Sequence, residues 1–342
     1  MSRTFMAAEI EGAGEAVARQ LAANTEPVAA VAAALRARDP HVVVTIARGS
    51  SDHAALYLKH LVELRLGLIC ASLGPSVASL YRAPLRLEDA VAVTISQSGR
   101  SPDIVAMQRA AREGGAFTVA LVNDARSPAA MDAAALLPLH AGEERSVAAT
   151  KTMIAALIAG ASLVAHWSRD GALRAALDDL PGLLDGGSAS PPEELVATLA
   201  AARSLYVLGR GATLAMAAEA ALKLKETSAI HAEAFSSAEV LHGPAGVIEP
   251  GFAVIAFAPA DAARAGMLET IESLASFGAA PLIIDVAAHP LWPTLVVPAA
   301  GHELLTPILA LHAFYRLAEA TARRRGRDPD APPHLMKVTR TV

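Results

Sequence analysis

The chain has a single cysteine, Cys70, among its 342 residues, which excludes an intrachain disulfide. Cys70 sits in an apolar, strand-like run, Leu68 to Leu73, and reads as an inert core residue. Charged residues reach only 18%, against about 25% in an average soluble domain. That shortage implies surface hidden against another domain or subunit. Positive charge is not in excess: the net charge of −5 gives no reason to expect nucleic acid or an anionic membrane as partner. The one basic run, Arg323-Arg324-Arg325-Gly326-Arg327, fits a helix C-terminus, where cations suit the dipole and glycine caps. Long hydrophobic runs are missing as well. Met153 to Trp167 is too short and too rich in alanine and glycine to span a bilayer, and reads as a buried helix. Residues 1–20 lack the apolar core of a secretory signal, which points to a cytoplasmic location.

Hydrophobic residues make up 53%, many of them alanine. The length suits about two domains at roughly 150 residues each. In the first half, Val42–Ala47, Leu68–Leu73, Ala90–Ile95, Phe117–Val122 and Ala135–Leu139 are short continuous apolar runs. Such runs suit a parallel sheet covered on both faces. Helical stretches at about 52–66, 102–113 and 147–168 intervene, giving a doubly wound α/β pattern. Asp185 to Pro192 is a linker candidate, after which strands at Arg203–Leu208, Phe252–Phe257 and Pro281–Val286 restart the pattern. The expected division is an N-terminal helical segment (1–35), two domains (36–185 and 193–328) and a C-terminal tail (329–342). Ala47-Arg48-Gly49-Ser50-Ser51 and Leu208-Gly209-Arg210-Gly211-Ala212 hold the same place in each half, which suggests duplication at the level of topology.

The chemistry concentrates in a few segments. Ser96-Gln97-Ser98-Gly99-Arg100-Ser101 follows a strand and opens a helix. Hydroxyls and free backbone N–H groups in that position attract a phosphate. Ser101-Pro102-Asp103 also fits a plain N-cap with proline at the first helical position. Three hydroxyls plus Gln97 exceed what a cap needs. Gly49-Ser50-Ser51 follows the same logic after the first strand. Further on, Glu219, Lys223 and Glu226 share one helix face, either as a solvated salt-bridged stripe or as acid–base groups. His231-Ala-Glu233 and Glu239-x-x-His242 contain metal-ligand types, but no cysteine or carboxylate-rich segment completes a cage. No metal or cofactor is expected.

Taken together, Gly209-Arg210-Gly211, the run from Glu219 through Lys223, Lys225 and Glu226 to Glu233, and Glu239-x-x-His242-Gly243-Pro244 resemble the sugar isomerase (SIS) family. Within it they are similar to the isomerase half of glutamine–fructose-6-phosphate amidotransferase. Gly49-Ser50-Ser51, Ser96-Gln97-Ser98-Gly99, Glu144-x-x-Val147-Ala148-x-Thr150-Lys151 and Pro333-His-Leu-Met-Lys337-Val-Thr339 extend the likeness over nearly the whole chain. The resemblance implies two tandem SIS domains, each a parallel sheet of about five strands flanked by helices. It implies that Ser96, Gln97, Ser98 and Ser101 hold a phosphate, with Gly49, Ser50 and Ser51 nearby. Glu226 would move a proton between C1 and C2, and His242, from the neighbouring subunit of a homodimer, would open the sugar ring. Lys223 and Lys337 would complete the site, while Glu144 and Val147 would line the sugar.

Three positions depart from the family pattern: Ser50 for a threonine, Arg100 for an acid, and Ala149 for a serine that contacts the sugar. Ser2, not a nucleophilic cysteine, follows Met1, and SIS-like sequence begins almost at once. Synthesis from glutamine is therefore not expected. The same residues run in reverse would deaminate an amino-sugar phosphate, with glucosamine-6-phosphate as the leading substrate. A fructosamine-phosphate deglycase or galactosamine-6-phosphate deaminase is the alternative reading, and a non-enzymatic sugar-phosphate sensor the third.

Overall fold

Runs such as Val42-Val43-Val44-Thr45-Ile46 carry β-branched side chains that pack well on a pleated surface, and both faces of these strands are buried. The structure, a computed structural model, describes residues 3–186, 190–258 and 261–337. The first half contains α1 (Phe5–Glu11), α2 (Ala13–Arg38), β1 (Val42–Ile46), α3 (Ser50–Leu66), β2 (Ile69–Ser72), α4 (Ser76–Ser79), β3 (Ala90–Ser96), α5 (Pro102–Glu113), β4 (Phe117–Val122), α6 (Pro128–Asp132), β5 (Ala135–Pro138) and α7 (Lys151–Trp167). There follow α8 (Gly171–Asp178), α9 (Leu180–Gly186), α10 (Glu193–Ala201), β6 (Ser204–Gly209), α11 (Thr213–Ser228), β7 (His231–Ser236), β8 (Ala253–Phe257), α12 (Arg264–Ser276), β9 (Ala280–Asp285), β10 (Thr294–Val296) and α13 (Thr306–Arg324).

The strands form two five-stranded sheets, ordered β2-β1-β3-β4-β5 and β10-β9-β8-β6-β7. Every pairing is parallel. Numbered within each half, both sheets have the order 2-1-3-4-5, so the two halves share one topology. Each sheet has a switch point, between β1 and β3 and between β6 and β8, where connections leave in opposite directions. Ligands of open α/β sheets bind outside the carboxyl ends of the strands at such points.

The chain divides into two compact units. The first-sheet unit gathers Ala13–Glu144, Lys151–Pro181 and the segment from Met336; the second-sheet unit gathers the residues through Gly12, Arg145–Thr150 and Gly182–Leu335. In the first, α7 is buried from Thr152 to Ala165, as expected of a helix apolar on all sides. It starts at Lys151 and not near 147. Residues 145–150 are non-helical and belong to the other unit, with the Val147 N–H bonded to the Asp330 carbonyl at 3.2 Å. Cys70 is buried, and burial, with Glu63 adding to it, pushes its thiol up to about 12. Among the described residues no helix is long and apolar enough to cross a membrane.

In the second-sheet unit, Phe257 of β8 meets Phe314 of α13, their ring centroids 5.8 Å apart. The N-terminal segment closes onto this unit. The Thr4 hydroxyl donates to Glu319 at 2.8 Å, and the Phe5 and Met6 N–H groups bond the Asp330 carboxylate at 2.7 and 2.8 Å. Two strands here escape the apolar-run signal: β7, an edge strand that reads His231-Ala-Glu-Ala-Phe-Ser236, and the three-residue β10. The linker candidate reaches residues 187–189, and the tail reaches 338–342; these lie outside the described residues.

His312 of α13 is buried, and its Nε2 lies 2.8 Å from the Ile10 carbonyl, to which it donates as a neutral ring. Burial lowers its pKa from 6.5 to about 4. As pH falls through that window, the unfolded chain takes up a proton that the folded chain refuses, so stability is lost. At about 1.4 kcal/mol per unit the loss comes to about 3 kcal/mol. The expected result is that His312→Gln, which keeps a donor, flattens the pH dependence of the denaturation midpoint between about 6.5 and 4 relative to wild type. Parallel profiles would reject the assignment.

Candidate active site

Both serine-bearing loops of the first-sheet unit leave neighbouring strands at the switch point, Gly49–Ser51 after β1 and Ser96–Ser101 after β3. Each runs into a helix N-terminus, α3 or α5, where backbone N–H groups lack intrahelical partners. Ser101 is the N-cap of α5 in extended conformation, yet its hydroxyl makes no capping bond. The plain-cap reading therefore does not hold for it. The Ser96 hydroxyl accepts from Gly99 N–H at 3.0 Å and the Ser98 hydroxyl from Arg100 N–H at 3.3 Å, which shapes the loop and leaves each O–H as a donor. Gly99 is required there: φ is +61°, and a Cβ would stand 2.2 Å from Ser127 Oγ. Arg100 pairs with Asp124 at 2.6 Å. Arg48, at the end of β1, pairs with Asp103 of α5 at 2.5 Å.

Glu144 lies in the same unit, wholly buried. It accepts from Thr152 N–H at 3.0 Å and Thr152 hydroxyl at 2.6 Å at the start of α7, and from Lys337 Nζ at 2.9 Å. Burial would raise its pKa, but the Lys337 ammonium and the Thr152 donors outweigh burial and hold it below the ordinary carboxylate range. Its oxygens are thus engaged within the protein, and Lys337, one-quarter exposed, is the member of the pair that meets solvent. Val147 belongs to the other unit.

In the second-sheet unit, α11 carries Glu219, Lys223 and Glu226 on one face. This face is not a solvated stripe. Glu219 and Lys223 are 0% and 1% exposed, and Glu226 is 22% exposed. Lys223 Nζ is bonded to Glu226 and lies 3.5 Å from Glu219, whose carboxylate also accepts from Tyr315 O–H at 3.1 Å. One ammonium is held between two carboxylates, and only Glu226 has access to an outside molecule. Such a carboxylate can accept and return a proton. His242 lies exposed in the turn after β7, with no side-chain hydrogen bond to the described residues. Tyr315, Thr152 and Arg48 stand beside candidate residues, and motif reading missed them. Only Arg48, inside a quoted loop, carried any local signal.

The SIS domain model matches residues 37–166 and 198–291. The chain belongs to the SIS family. Among relatives, it is 33% identical to a glutamine–fructose-6-phosphate aminotransferase of Thermococcus kodakarensis and 35% identical to one of Pyrobaculum aerophilum. These matches cover 97% and 98% of this chain but 57% of each relative, so the chain spans little more than half their length. Among solved SIS-fold structures, a candidate phosphosugar isomerase from Silicibacter pomeroyi DSS-3 matches with TM-score 0.90 at 48% identity, over 96% of this chain and 100% of that one. The C-terminal domain of a Francisella tularensis glucosamine-fructose-6-phosphate aminotransferase matches in fold with TM-score 0.86 at 23% identity, over 97% and 99%. A glucosamine-6-phosphate deaminase from Thermotoga maritima does so with TM-score 0.78 at 18% identity, over 99% and 100%.

Proposed function

We propose that this SIS protein is an aldose–ketose isomerase and deaminase that converts glucosamine-6-phosphate and water to fructose-6-phosphate and ammonia. The observation that carries the reading is the buried Glu219–Lys223–Glu226 cluster, in which Glu226 is the partly exposed carboxylate. In this reading His242 assists opening of the sugar ring. Glu226 removes the proton from C2 and returns it to C1. The C1 aldehyde becomes an alcohol and the C2 amine an imine, which water hydrolyses with release of ammonia. Lys337 and Lys223 supply positive charge near the developing oxyanion, and Ser96, Gln97, Ser98 and Ser101 with Gly49–Ser51 take the phosphate. The named activities of the similar proteins, aminotransferase and deaminase on the same sugar phosphates, support this substrate class.

The test is incubation of the pure protein with glucosamine-6-phosphate, galactosamine-6-phosphate and fructosamine phosphates, assaying ammonia, free amino acid and ketose phosphate. Ammonia and fructose-6-phosphate from the first are expected. Free amino acid from the fructosamine phosphates alone would move the reading to a deglycase. Binding without any product would move it to a sensor.

Ser98→Ala is expected to weaken binding of an unreactive analogue, sorbitol 6-phosphate, with the melting temperature unchanged. A hydroxyl bonded to a charged oxygen contributes about 1.5–3 kcal/mol. Unchanged affinity with lowered melting temperature would reduce Ser98 to a loop brace.

The reading includes a homodimer in which His242 serves the partner's site. Mixing inactive Glu226→Gln and His242→Ala subunits is then expected to restore roughly a quarter of wild-type activity, since about half the dimers are mixed and each has one intact site. Confirmed exchange without recovery would place both groups in one chain's site.

A further inference from the structure

Arg48 joins the two anion-facing loops. It stands directly before Gly49, at the carboxyl end of β1, and its Nε is 2.5 Å from Oδ2 of Asp103 in the first turn of α5. Asp103 is wholly buried, whereas the Arg48 side chain is 48% exposed. The pair thus ties the β1 loop to the helix that the β3 loop opens, across the switch point between neighbouring strands. Arg48 also acts electrostatically on Asp52 in the first turn of α3, where burial raises the carboxyl and His53 and Arg48 pull it down.

These contacts pose an electrostatic problem that Arg48 answers. Asp103 and Asp52 sit in the first turns of the two helices whose N-termini face the crevice. A phosphate brought there would meet two carboxylates, and repulsion between like charges would oppose the attraction of the helix ends. A guanidinium offers five donors in a planar fork. With Nε on Asp103, the fork is fixed in orientation while much of the side chain stays open to solvent. We propose that Arg48 is a further ligand for the phosphate of the substrate, held in place by Asp103. This rests on the reading that the two loops hold a phosphate. It adds a cation from the β1 loop to a cradle otherwise built of hydroxyls, an amide and backbone N–H groups, and it makes the site selective for a doubly charged phosphate monoester.

The experiment is calorimetric titration of sorbitol 6-phosphate into wild type, Arg48→Met, Arg48→Lys and Asp103→Asn, at pH 8 and at pH 5.5. Loss of a charge-assisted bond is expected to weaken binding by Arg48→Met about 10–100-fold at pH 8. Arg48→Lys should recover part of that loss. Asp103→Asn loosens the cation but also lifts one of the two repulsions, so any loss of binding should be smaller than that of Arg48→Met. The monoester loses its second proton near about pH 6. Wild type should therefore bind more tightly at the higher pH, and Arg48→Met should narrow that difference. Because Arg48 also acts on Asp52 and Asp103, the same pair of pH values is run on Asp52→Asn with and without Arg48→Met, and the narrowing should persist there. A purely structural brace would weaken both pH values equally and gain nothing from lysine, which would overturn the proposal. Equal binding by wild type and Arg48→Met would overturn it while leaving the phosphate loops intact. No binding by wild type would overturn the loop reading itself. Should Arg48→Met fail to fold, Arg48→Gln carries the test: affinity and pH dependence both equal to wild type would overturn the proposal.

Discussion

Glu226→Gln is expected to lower kcat about 10²–10⁴-fold, the usual cost of removing a general base, while sorbitol 6-phosphate still binds within a few-fold of wild type. The amide keeps the shape of the carboxylate and can still accept a hydrogen bond from Lys223. The ammonium retains Glu219 at 3.5 Å, so removing one carboxylate does not strand it. That separation of chemistry from binding is the useful readout. A carboxylate serving only as the outer end of a salt bridge would give a lower melting temperature and nearly normal turnover. Activity within a few-fold of wild type would remove Glu226 from the mechanism.

The second large effect is on stability. In Lys223→Met, Glu219 stays fully buried and loses the ammonium 3.5 Å away, while it keeps the Tyr315 hydroxyl. Breaking a buried pair by removing one partner costs about 3–5 kcal/mol, because a charge is left uncompensated. The expected result is a loss of that size in urea unfolding. Lys223→Met combined with Glu219→Leu should lose less than Lys223→Met alone, since replacing a whole buried pair by apolar groups is often nearly neutral. Additive losses would show that the two side chains do not compensate each other.

How much of this was legible follows the range of the signal. Strands buried on both faces appear as local apolar runs, and β1, β3 and β4 were visible for that reason. The edge strand β7 exposes His231 and Glu233, so no such run exists there, and β10 is too short to make one. Spacing along α11 aligned Glu219, Lys223 and Glu226, but the Tyr315 hydroxyl that donates to Glu219 comes from α13, which no local pattern announces. The Arg48–Asp103 pair likewise joins positions 55 residues apart. The serine loops were legible because their chemistry lies in consecutive residues. That Ser101 leaves its capping role unfilled, and that Glu144 is engaged by Thr152 and Lys337, required the fold.

The clasp between the N-terminal segment and the second-sheet unit governs the order in which a nascent chain can finish folding. Met6 and Ile10 are fully enclosed; Glu9 of their helix accepts from the Arg145 and Ser146 N–H groups, but the remaining groups that hold it are Glu319, Asp330 and His312. Those groups are synthesised some three hundred residues later. At about 5–20 residues per second, α1 leaves the ribosome roughly 15–60 s before its docking surface is complete. The body of the first-sheet unit, Ala13–Glu144 and Lys151–Pro181, is complete soon after the middle of that interval. Helix α1 is therefore made long before its packing is complete, and its apolar face waits through that interval for cover.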